Sequence, residues 1–286
     1  MLPNDPQLKP YYRMPRVFGA LPGPRNIPAD KQQLENAQRN TTMAVTARTE
    51  HAALEALLPP GCELSGEPLF TVSLVRMENI AWLAGRGYSM LIVAFRIAHK
   101  GREGAVVPGN FIPVLWENMA EPILTGREEL GFAKLYADLP RPTVIGCNWH
   151  ARGVWDGFCF CDIEVSGVAD APLPHAPAIG NYHYKFIPRN TVLGQGDIDQ
   201  VVYAEPGSSQ AGYNLATVQR FQSGEGRFSF HRPRWEDMPF QYTIINALAD
   251  LPVLEFVSAS LSFASASGPA GDPTPGALRP CGPDWP

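Results

Sequence analysis

Short runs of alternating apolar and polar residues, separated by glycine and proline, fill most of the chain between residues 60 and 265. The runs are rich in β-branched and aromatic residues, which is typical of β-strands. Eight strands are predicted: residues 68–76, 88–98, 110–116, 143–149, 154–165, 181–187, 200–204 and 254–264. The glycine and proline between nearly all of them favour a closed or sandwiched β-structure.

The run at residues 154–165 shows the alternation most clearly. Its apolar face consists of Trp155, Gly157, Cys159, Cys161, Ile163 and Val165. Its other face carries the charged residues Asp156, Asp162 and Glu164. This period of two predicts one half-buried antiparallel strand.

Helices are few in this pattern. Thr49 can cap a helix over residues 50–58, and Pro59 stops it. A second short helix fits residues 240–248, and the segment 126–136 is predicted to begin as a loop and pass through one or two helical turns. We find no internal repeat and predict one β-dominated domain over residues 31–267.

Both ends of the chain differ from this domain in composition. Residues 1–30 contain seven prolines, and residues 268–286 are dominated by glycine, proline and aspartate. Neither end is expected to fold alone. Aromatic and apolar residues within the first stretch favour an N-terminal arm, residues 1–30, that docks on a neighbouring surface, and residues 268–286 are predicted as a C-terminal tail.

Composition excludes several classes of protein. The formal net charge is −5 and no run of five basic residues occurs, which argues against a nucleic-acid-binding protein. No stretch reaches the roughly 18 apolar residues of a membrane-spanning helix, and the N-terminus lacks the basic and apolar regions of a secretory signal. Five cysteines, an odd number, are typical of free thiols in a reducing compartment. A cytoplasmic protein without membrane or nucleic-acid partners is therefore predicted.

The sequence offers no strong metal or cofactor motif. Cys159 and Cys161 are alternate strand residues roughly 6.5–7 Å apart, which do not bridge readily, and no second pair with metal-ligand spacing accompanies them. They are interpreted as core thiols. Phosphate-loop, dinucleotide and Gly-x-Ser-x-Gly motifs are absent, so a cofactor-free protein without a metal is expected. His183 and Lys185 share one strand face, which is either catalytic or exposed to solvent.

Lys134 has the most distinctive chemistry in the chain. There are five lysines against eighteen arginines, and only a lysine can lose its proton and act as a nucleophile. Lys134 lies among apolar residues, with Glu128 and Glu129 as close charged neighbours in sequence. It is a candidate amine for Schiff-base chemistry, and the alternative is an ordinary ion pair with a surface glutamate.

Five segments of the chain carry a family resemblance. They are residues 42–58, Gly66-Glu67-Pro68-Leu69, Gly126-Arg127-Glu128-Glu129-Leu130-Gly131-Phe132-Ala133-Lys134, Tyr184-Lys185-Phe186-Ile187-Pro188 and Asp250-Leu251-Pro252-Val253-Leu254-Glu255-Phe256-Val257-Ser258. In this order they resemble the acetoacetate decarboxylase superfamily over roughly residues 40–265. Both proline-rich ends lie outside the similarity.

The resemblance implies a mainly β (α+β) fold in which two antiparallel sheets form a cone or barrel around an apolar cavity. It also implies a lyase in which Lys134 forms a Schiff base with a carbonyl substrate. The lysine of this family is an established example of an activated amine. Burial in an apolar cavity disfavours the ammonium and so favours the neutral, nucleophilic amine. Since the family forms oligomers, a homo-oligomer is expected.

Three positions depart from the pattern of the family's decarboxylases. Those proteins carry a second lysine directly after the first, where this chain has Leu135, so desolvation alone must lower the pKa of Lys134. Ser73 and Tyr88 align with two family glutamates. The loss of both carboxylates removes the charges expected to steer a β-keto carboxylate.

A tyrosine at position 88 can donate a hydrogen bond or pass a proton. This favours an aldolase-dehydratase that joins pyruvate to an aldehyde through a lysine enamine. The catalytic residues implied are Lys134, Tyr88 and Tyr242. The substrate-binding residues implied are Arg39, Ser73, Arg127 and Glu128. For Arg127 and Glu128, holding the loop in place is the favoured role. The alternatives are decarboxylation of acetoacetate or another β-keto acid, and a non-catalytic β-cone that binds a small ligand.

Overall fold

The computed structural model describes residues 6–31, 37–100, 105–174, 179–205, 217–266 and 278–280. Most of the predicted tail, residues 268–286, lies outside them. The strands are β1 Arg39–Arg48, β2 Cys62–Leu64, β3 Leu69–Ile80, β4 Arg86–Lys100, β5 Val106–Glu117, β6 Lys134–Tyr136, β7 Thr143–Ile145, β8 Asn148–Trp155, β9 Phe158–Asp170, β10 Gly180–Pro188, β11 Gly196–Ala204, β12 Thr217–Phe230, β13 Glu255–Ser265 and β14 Leu278–Pro280. The helices are α1 His51–Glu55, α2 Ala120–Thr125, a π-helix at Gly126–Leu130 and α3 Tyr242–Ala249, with 3₁₀ turns at Arg16–Phe18, Ala29–Lys31 and Ala81–Leu83.

The described strands form one mixed sheet that is not closed into a barrel. Its order is β14-β11-β10-β5-β4-β3-β1-β13-β12-β9-β8-β7, with β2 added to β4 and β6 added to β5. Its strands pair antiparallel except where β5 meets β10 and β6. The prediction of a mainly β fold is confirmed, whereas the expected pair of separate sheets is corrected. β1 pairs with β3 on one side and with β13 on the other, so it joins the two halves into one sheet.

The core lies between the two halves of the sheet, which turn their inner faces towards each other. Phe70 on β3 and Phe228 on β12 meet with ring centroids 5.2 Å apart. The ring centroids of Trp116 on β5 and Phe160 on β9 lie 5.1 Å apart. Burial of a phenylalanine side chain contributes about 1.5–3 kcal/mol, so these contacts between strands distant in sequence hold the halves together.

The predicted strand at residues 154–165 is wrong at its start, because a hairpin turn lies inside it. β8 ends at Trp155 and β9 begins three residues later, at Phe158. Between them Asp156 and Gly157 have φ angles of 45° and 86°, and two such left-handed residues form the tight turn that suits the twist of a hairpin. Gly157 fits the apolar alternation but serves the turn. Beyond it the predicted apolar face is confirmed by the buried residues Cys161, Ile163 and Val165. The interpretation of Cys159 as a core thiol is wrong, because its Sγ lies 3.6 Å from Asp162 Oδ2, outside the core.

The helices also differ from their predicted bounds. α1 has Glu50 at its N-cap position, and the hydroxyl of Thr49 makes no hydrogen bond within the described part of the chain. Thr49 instead donates its backbone N–H to the Pro68 carbonyl oxygen. This hydrogen bond continues the pairing of β1 with β3, so Thr49 does not cap the helix. The helical turns expected at 126–136 come earlier, at residues 120–130, and lead into β6. None of the described helices is long and apolar enough to cross a membrane.

Candidate active site

Lys134 is the first residue of β6, which runs parallel to the end of β5, with Leu115 as its partner in the register. α2 and the π-helix precede it. Gly131 ends the π-helix with a φ of 82°, a left-handed conformation that glycine adopts without strain. After this turn the side chain of Lys134 packs against Gly126, at the start of the π-helix that precedes it.

The Lys134 amine is buried against a carboxylate. Its Nζ lies 2.7 Å from Glu117 Oε1 and donates a hydrogen bond to the Pro122 carbonyl oxygen at 3.0 Å. Only 4% of the Lys134 side chain and 0% of the Glu117 side chain are exposed. The Phe132 ring centroid lies 5.1 Å from Nζ, where its π face attracts a cation. The alternative of an ion pair with a surface glutamate is therefore wrong, because the partner is a buried residue of the neighbouring strand.

Burial shifts both members of this pair towards their neutral forms. It lowers the pKa of Lys134, and the charge of Glu117 opposes that shift without cancelling it. It raises the pKa of Glu117, again against the effect of the partner. The cause is the same for both groups, since each charged form loses its hydration. A neutral amine is nucleophilic, and a carboxyl group beside it can give and take protons.

Gly126 and Arg127 fix the lysine from two sides. A Cβ added at Gly126 would lie 2.7 Å from Lys134 Nζ, so only glycine lets the lysine side chain pass under the helix. The Arg127 guanidinium donates a hydrogen bond of 2.7 Å to the Lys134 carbonyl oxygen. Arg127 thus contacts the backbone of the lysine.

Basic side chains anchor the π-helix on its other side. Lys185 Nζ donates hydrogen bonds to the carbonyl oxygens of Glu128 at 2.8 Å and Glu129 at 3.3 Å. Arg13 and Arg25, from the N-terminal segment, both form ion pairs with the Glu129 carboxylate. The three side chains are only 6% to 11% exposed. The N-terminal segment therefore packs against the helix that positions Lys134, and Glu128 takes part through its backbone.

The strand face that carries His183 and Lys185 is covered by residues 128–132, the end of the π-helix and the turn after it. His183 has no exposed surface, and its ring centroid lies 3.9 Å from that of Phe132. The interpretation of this face as a solvent-exposed one is therefore wrong for His183.

Two of the predicted residues, Ser73 and Tyr88, lie on the sheet face that carries Glu117. Met90 pairs with Glu117 across β4 and β5, and Tyr88 lies two residues before Met90. Ser73 pairs with Ile92, two residues after Met90. Side chains two residues apart on a strand point to the same face. The register therefore brings these side chains to one surface of the sheet.

Tyr88 is close to the site without touching the amine. It is 2% exposed and packs in a small cluster with Met77 and Ile80. Met119, directly before α2, packs against the same cluster. The amine's own polar contacts within the described residues are with Glu117 and Pro122, so the expected contact between a tyrosine hydroxyl and the amine is not made in this arrangement.

Tyr242 and Arg39 are not brought to the amine. Gln241, directly before Tyr242, accepts a hydrogen bond of 2.6 Å from Trp116 Nε1. Trp116 precedes Glu117 on the strand and so points to the opposite face, and Tyr242 packs against the main core on that side. Arg39 is an exposed residue at the start of β1, opposite Glu78.

Glu117 is the residue that the sequence reasoning missed. The only local signal was a single carboxylate directly after the apolar run 110–116. That signal does not reveal Lys134 as the partner of Glu117, because the contact between the two residues depends on the parallel pairing of β5 with β6.

An open groove of about 430 Å³ lies beside β6. Ala133 and Leu135 line it, together with Arg127 and residues of α3. In sequence these two residues flank Lys134, and alternate strand residues point to opposite faces. The groove therefore lies on the face opposite the Lys134 side chain.

The geometry defines a mainly β protein with a buried amine beside a carboxyl group, held under a Gly-Arg-Glu helix. This chain belongs to the acetoacetate decarboxylase (ADC) family, whose sequence profile matches residues 20–274. The predicted resemblance is confirmed.

Solved structures of enzymes share the fold. An acetoacetate decarboxylase has a TM-score of 0.63 at 18% identity, with 84% of this chain and 89% of that chain covered. The enduracididine biosynthesis enzyme MppR, complexed with the condensation product of pyruvate and imidazole 4-carboxaldehyde, has a TM-score of 0.59 at 16% identity, covering 84% and 90%. An acetoacetate decarboxylase-like enzyme from Sphingomonas wittichii RW1 has a TM-score of 0.58 at 15% identity, covering 83% and 92%. The chain matches none of the curated proteins.

Proposed function

We propose that this protein is a cofactor-independent Schiff-base lyase in which Lys134 captures the carbonyl carbon of a 2-oxo acid. The observation that carries the proposal is the burial of the Lys134 amine at 2.7 Å from Glu117 Oε1. An amine in bulk water stays protonated at neutral pH, whereas burial makes the neutral form accessible. Family membership supports an enzyme of this type.

Glu117 is assigned the proton transfers at the lysine nitrogen. It takes a proton from the amine, which attacks the C2 carbonyl of pyruvate to form a carbinolamine. It then returns a proton to the carbinolamine hydroxyl, which leaves as water and gives the iminium. The Phe132 ring at 5.1 Å and the Pro122 carbonyl oxygen at 3.0 Å favour a positively charged nitrogen.

The iminium then serves as an electron sink for carbon–carbon bond formation. Loss of a methyl proton gives the enamine, whose carbon attacks the aldehyde carbon, and the resulting alkoxide takes up a proton. Elimination of that hydroxyl as water, followed by hydrolysis of the iminium, frees the lysine. Pyruvate and aldehyde thus yield an unsaturated 2-oxo acid and one water. We assign the protonation of the departing hydroxyl to Tyr88, on the sheet face of Glu117.

Ser73 and Tyr88 favour condensation over decarboxylation. These positions lie on the sheet face that carries Glu117, and neither carries the carboxylate expected of a decarboxylase. The MppR structure, which shares this fold, is complexed with a condensation product of pyruvate and an aldehyde, and this supports the proposal.

Reductive trapping tests the nucleophile. We incubate the protein with pyruvate and sodium borohydride, measure the intact mass and map the modified peptide. One adduct per chain on Lys134, absent from Lys134→Arg and kept in the exposed control Lys100→Arg, supports the proposal. Absence of an adduct, or its location on Lys185, overturns it.

Product analysis separates the two reactions. With pyruvate and imidazole 4-carboxaldehyde as probes, we expect an unsaturated 2-oxo acid whose formation is lost in Lys134→Arg. Carbon dioxide release from acetoacetate at ordinary enzymatic rates, also lost in Lys134→Arg, would assign the chain to decarboxylation instead.

A further inference from the structure

A cluster of potential metal ligands lies on the outer face of the other half of the sheet. It consists of Cys159 and Asp162 on β9, His150 on β8 and His231 directly after β12. The ligand atoms of Cys159, Asp162 and His231 all lie within 4.8 Å of one another. The proposed lyase chemistry uses none of these residues.

A β-bulge brings Cys159 to this face. Gly153 pairs with Cys161 and Val154 with Cys159, so Phe160 is the extra residue between them. Residues three apart on a regular strand point to opposite faces, and a bulge shifts this alternation by one. Cys159 Sγ therefore lies 3.6 Å from Asp162 Oδ2, outside the core.

The same bulge positions His231. Its backbone N–H donates a hydrogen bond of 2.9 Å to the Phe160 carbonyl oxygen. Its Nε2 lies 2.6 Å from Asp162 Oδ2. His150 Nε2 lies 2.7 Å from the other carboxylate oxygen, Oδ1. The side chains of the two histidines and Asp162 are 28% to 47% exposed, so an ion can reach them from solvent.

We propose that Cys159, Asp162 and His231 bind one zinc ion, with His150 holding the outer oxygen of the carboxylate. Thiolate, imidazole and carboxylate are the ligands that zinc takes in proteins. A hydrogen bond that orients a ligand from outside is a regular part of such sites. Water fills the fourth position on the solvent side.

The spacing fits a tetrahedral ion after a small adjustment. Zinc bond lengths place sulfur and oxygen ligands ~3.6 Å apart, and nitrogen and oxygen ligands ~3.4 Å apart. The sulfur–oxygen distance of 3.6 Å already agrees. The nitrogen–oxygen distance of 2.6 Å must open by less than ~1 Å, which rotation of the exposed His231 side chain provides.

Metal titration of the full-length protein tests the site. After treatment with a chelator, we titrate the protein with Zn²⁺ against a chromogenic competitor and expect one ion per chain. His150→Gln weakens binding by ~10–100-fold, as expected for an orienting residue. Cys159→Ser and His231→Gln weaken it further because each removes a ligand, while Cys147→Ser and His51→Gln, at exposed positions, leave it unchanged.

Replacement of Zn²⁺ by Co²⁺ shows directly whether the Cys159 thiolate binds the metal. With Co²⁺ in place of Zn²⁺, we expect a thiolate-to-cobalt charge-transfer band that disappears in Cys159→Ser and persists in Cys147→Ser. Circular dichroism confirms that both variants are folded. Failure to bind Zn²⁺ in a one-to-one ratio, or a charge-transfer band unchanged by Cys159→Ser, overturns the proposal.

Discussion

Glu117 keeps one carboxyl oxygen, Oε2, without a hydrogen-bond partner among the described residues, although its side chain is fully buried. An ionised carboxylate there loses its hydration and regains only the contact with Lys134. Desolvation of a buried ion costs several kcal/mol, whereas a neutral carboxyl group beside a neutral amine avoids most of that cost. The pair can therefore pass one proton back and forth at low cost, which is what formation of an iminium requires.

Replacing Glu117 by glutamine tests this proton transfer. The amide has a similar size but cannot take a proton from the amine, so we expect adduct formation with pyruvate to slow by about 10²–10⁴-fold. The measurement is the rate of the mass increase under reductive trapping. The control is Glu121→Gln, at an exposed glutamate on α2 beside Pro122. Equal rates in the wild type and Glu117→Gln would remove Glu117 from the mechanism.

The pH dependence of trapping tests the state of the amine. Burial lowers the pKa of Lys134, so the neutral amine predominates from a lower pH than for a free lysine. The rate of trapping by cyanoborohydride should rise with pH to a plateau, with its midpoint below the ordinary lysine value of about 10.4. In Glu117→Gln the midpoint should move lower still, because the carboxylate that favours the ammonium is gone. A midpoint at or above the ordinary value would contradict the proposed activation.

At the scale of the helix, Gly126→Ala tests whether the π-helix positions the amine. The new Cβ would lie 2.7 Å from Lys134 Nζ, so the lysine must move away from Glu117. We expect ~100-fold slower adduct formation, the effect of misplacing a reacting group by roughly 1 Å. Overpacking should also lower the free energy of unfolding by about 1–3 kcal/mol.

Gly66→Ala is the matched control for that loss of stability. Gly66 has a φ of 82° and no atom within 4 Å of the added Cβ. Its replacement should therefore cost about 1–2 kcal/mol in backbone strain without moving Lys134. Equal adduct rates in Gly126→Ala and the wild type would show that the close approach does not position the amine.

The hairpin between β8 and β9 offers a prediction with two opposite signs. Gly157→Ala forces a Cβ into a left-handed residue with φ of 86° and should destabilise the protein by about 1–2 kcal/mol. Asp156→Gly relieves the same kind of strain at φ of 45° and should be neutral or slightly stabilising. Thermal unfolding measures both. A loss of stability in Asp156→Gly as large as that in Gly157→Ala would argue against this turn.

The elements that the sequence predicted were those with one clear apolar face. β3, β4 and β5 were found within a few residues, since each turns a continuous apolar face to the core. β12 was missed because polar residues and glycine interrupt its pattern, with Gly226 packed tightly against Val45. The bulge at Phe160 and the turn at Gly157 are not visible in the alternation, because burial alone does not reveal where a strand reverses or gains a residue.

At the scale of the whole molecule, the site was only half predictable. Lys134 was singled out as a candidate because its motif is local and continuous in sequence, and its catalytic role stays a prediction. Glu117 and the ligands around Asp162 were not, because each contact depends on the register between strands. His231 is far from Cys159 in sequence, so no local spacing rule could join them. Tertiary pairing, rather than composition, creates both clusters.

The N-terminal segment connects the start of the chain to the π-helix above Lys134. Arg25 is 7% exposed and forms an ion pair with Glu129. Arg25→Met leaves a buried carboxylate with Arg13 as its remaining partner, so we expect a loss of about 3 kcal/mol. That corresponds to a fall in Tm of several degrees in a chain of this size.

Adduct formation should slow as well in Arg25→Met, because Glu129 belongs to the π-helix that carries Gly126. The control is Arg220→Met. Arg220 pairs with Asp170 at 2.8 Å, but both side chains are more than half exposed. Because solvent screens the charges, this pair contributes little to stability. If Arg25→Met and Arg220→Met changed Tm and the trapping rate equally, the N-terminal segment would be a passive cover rather than a support of the site.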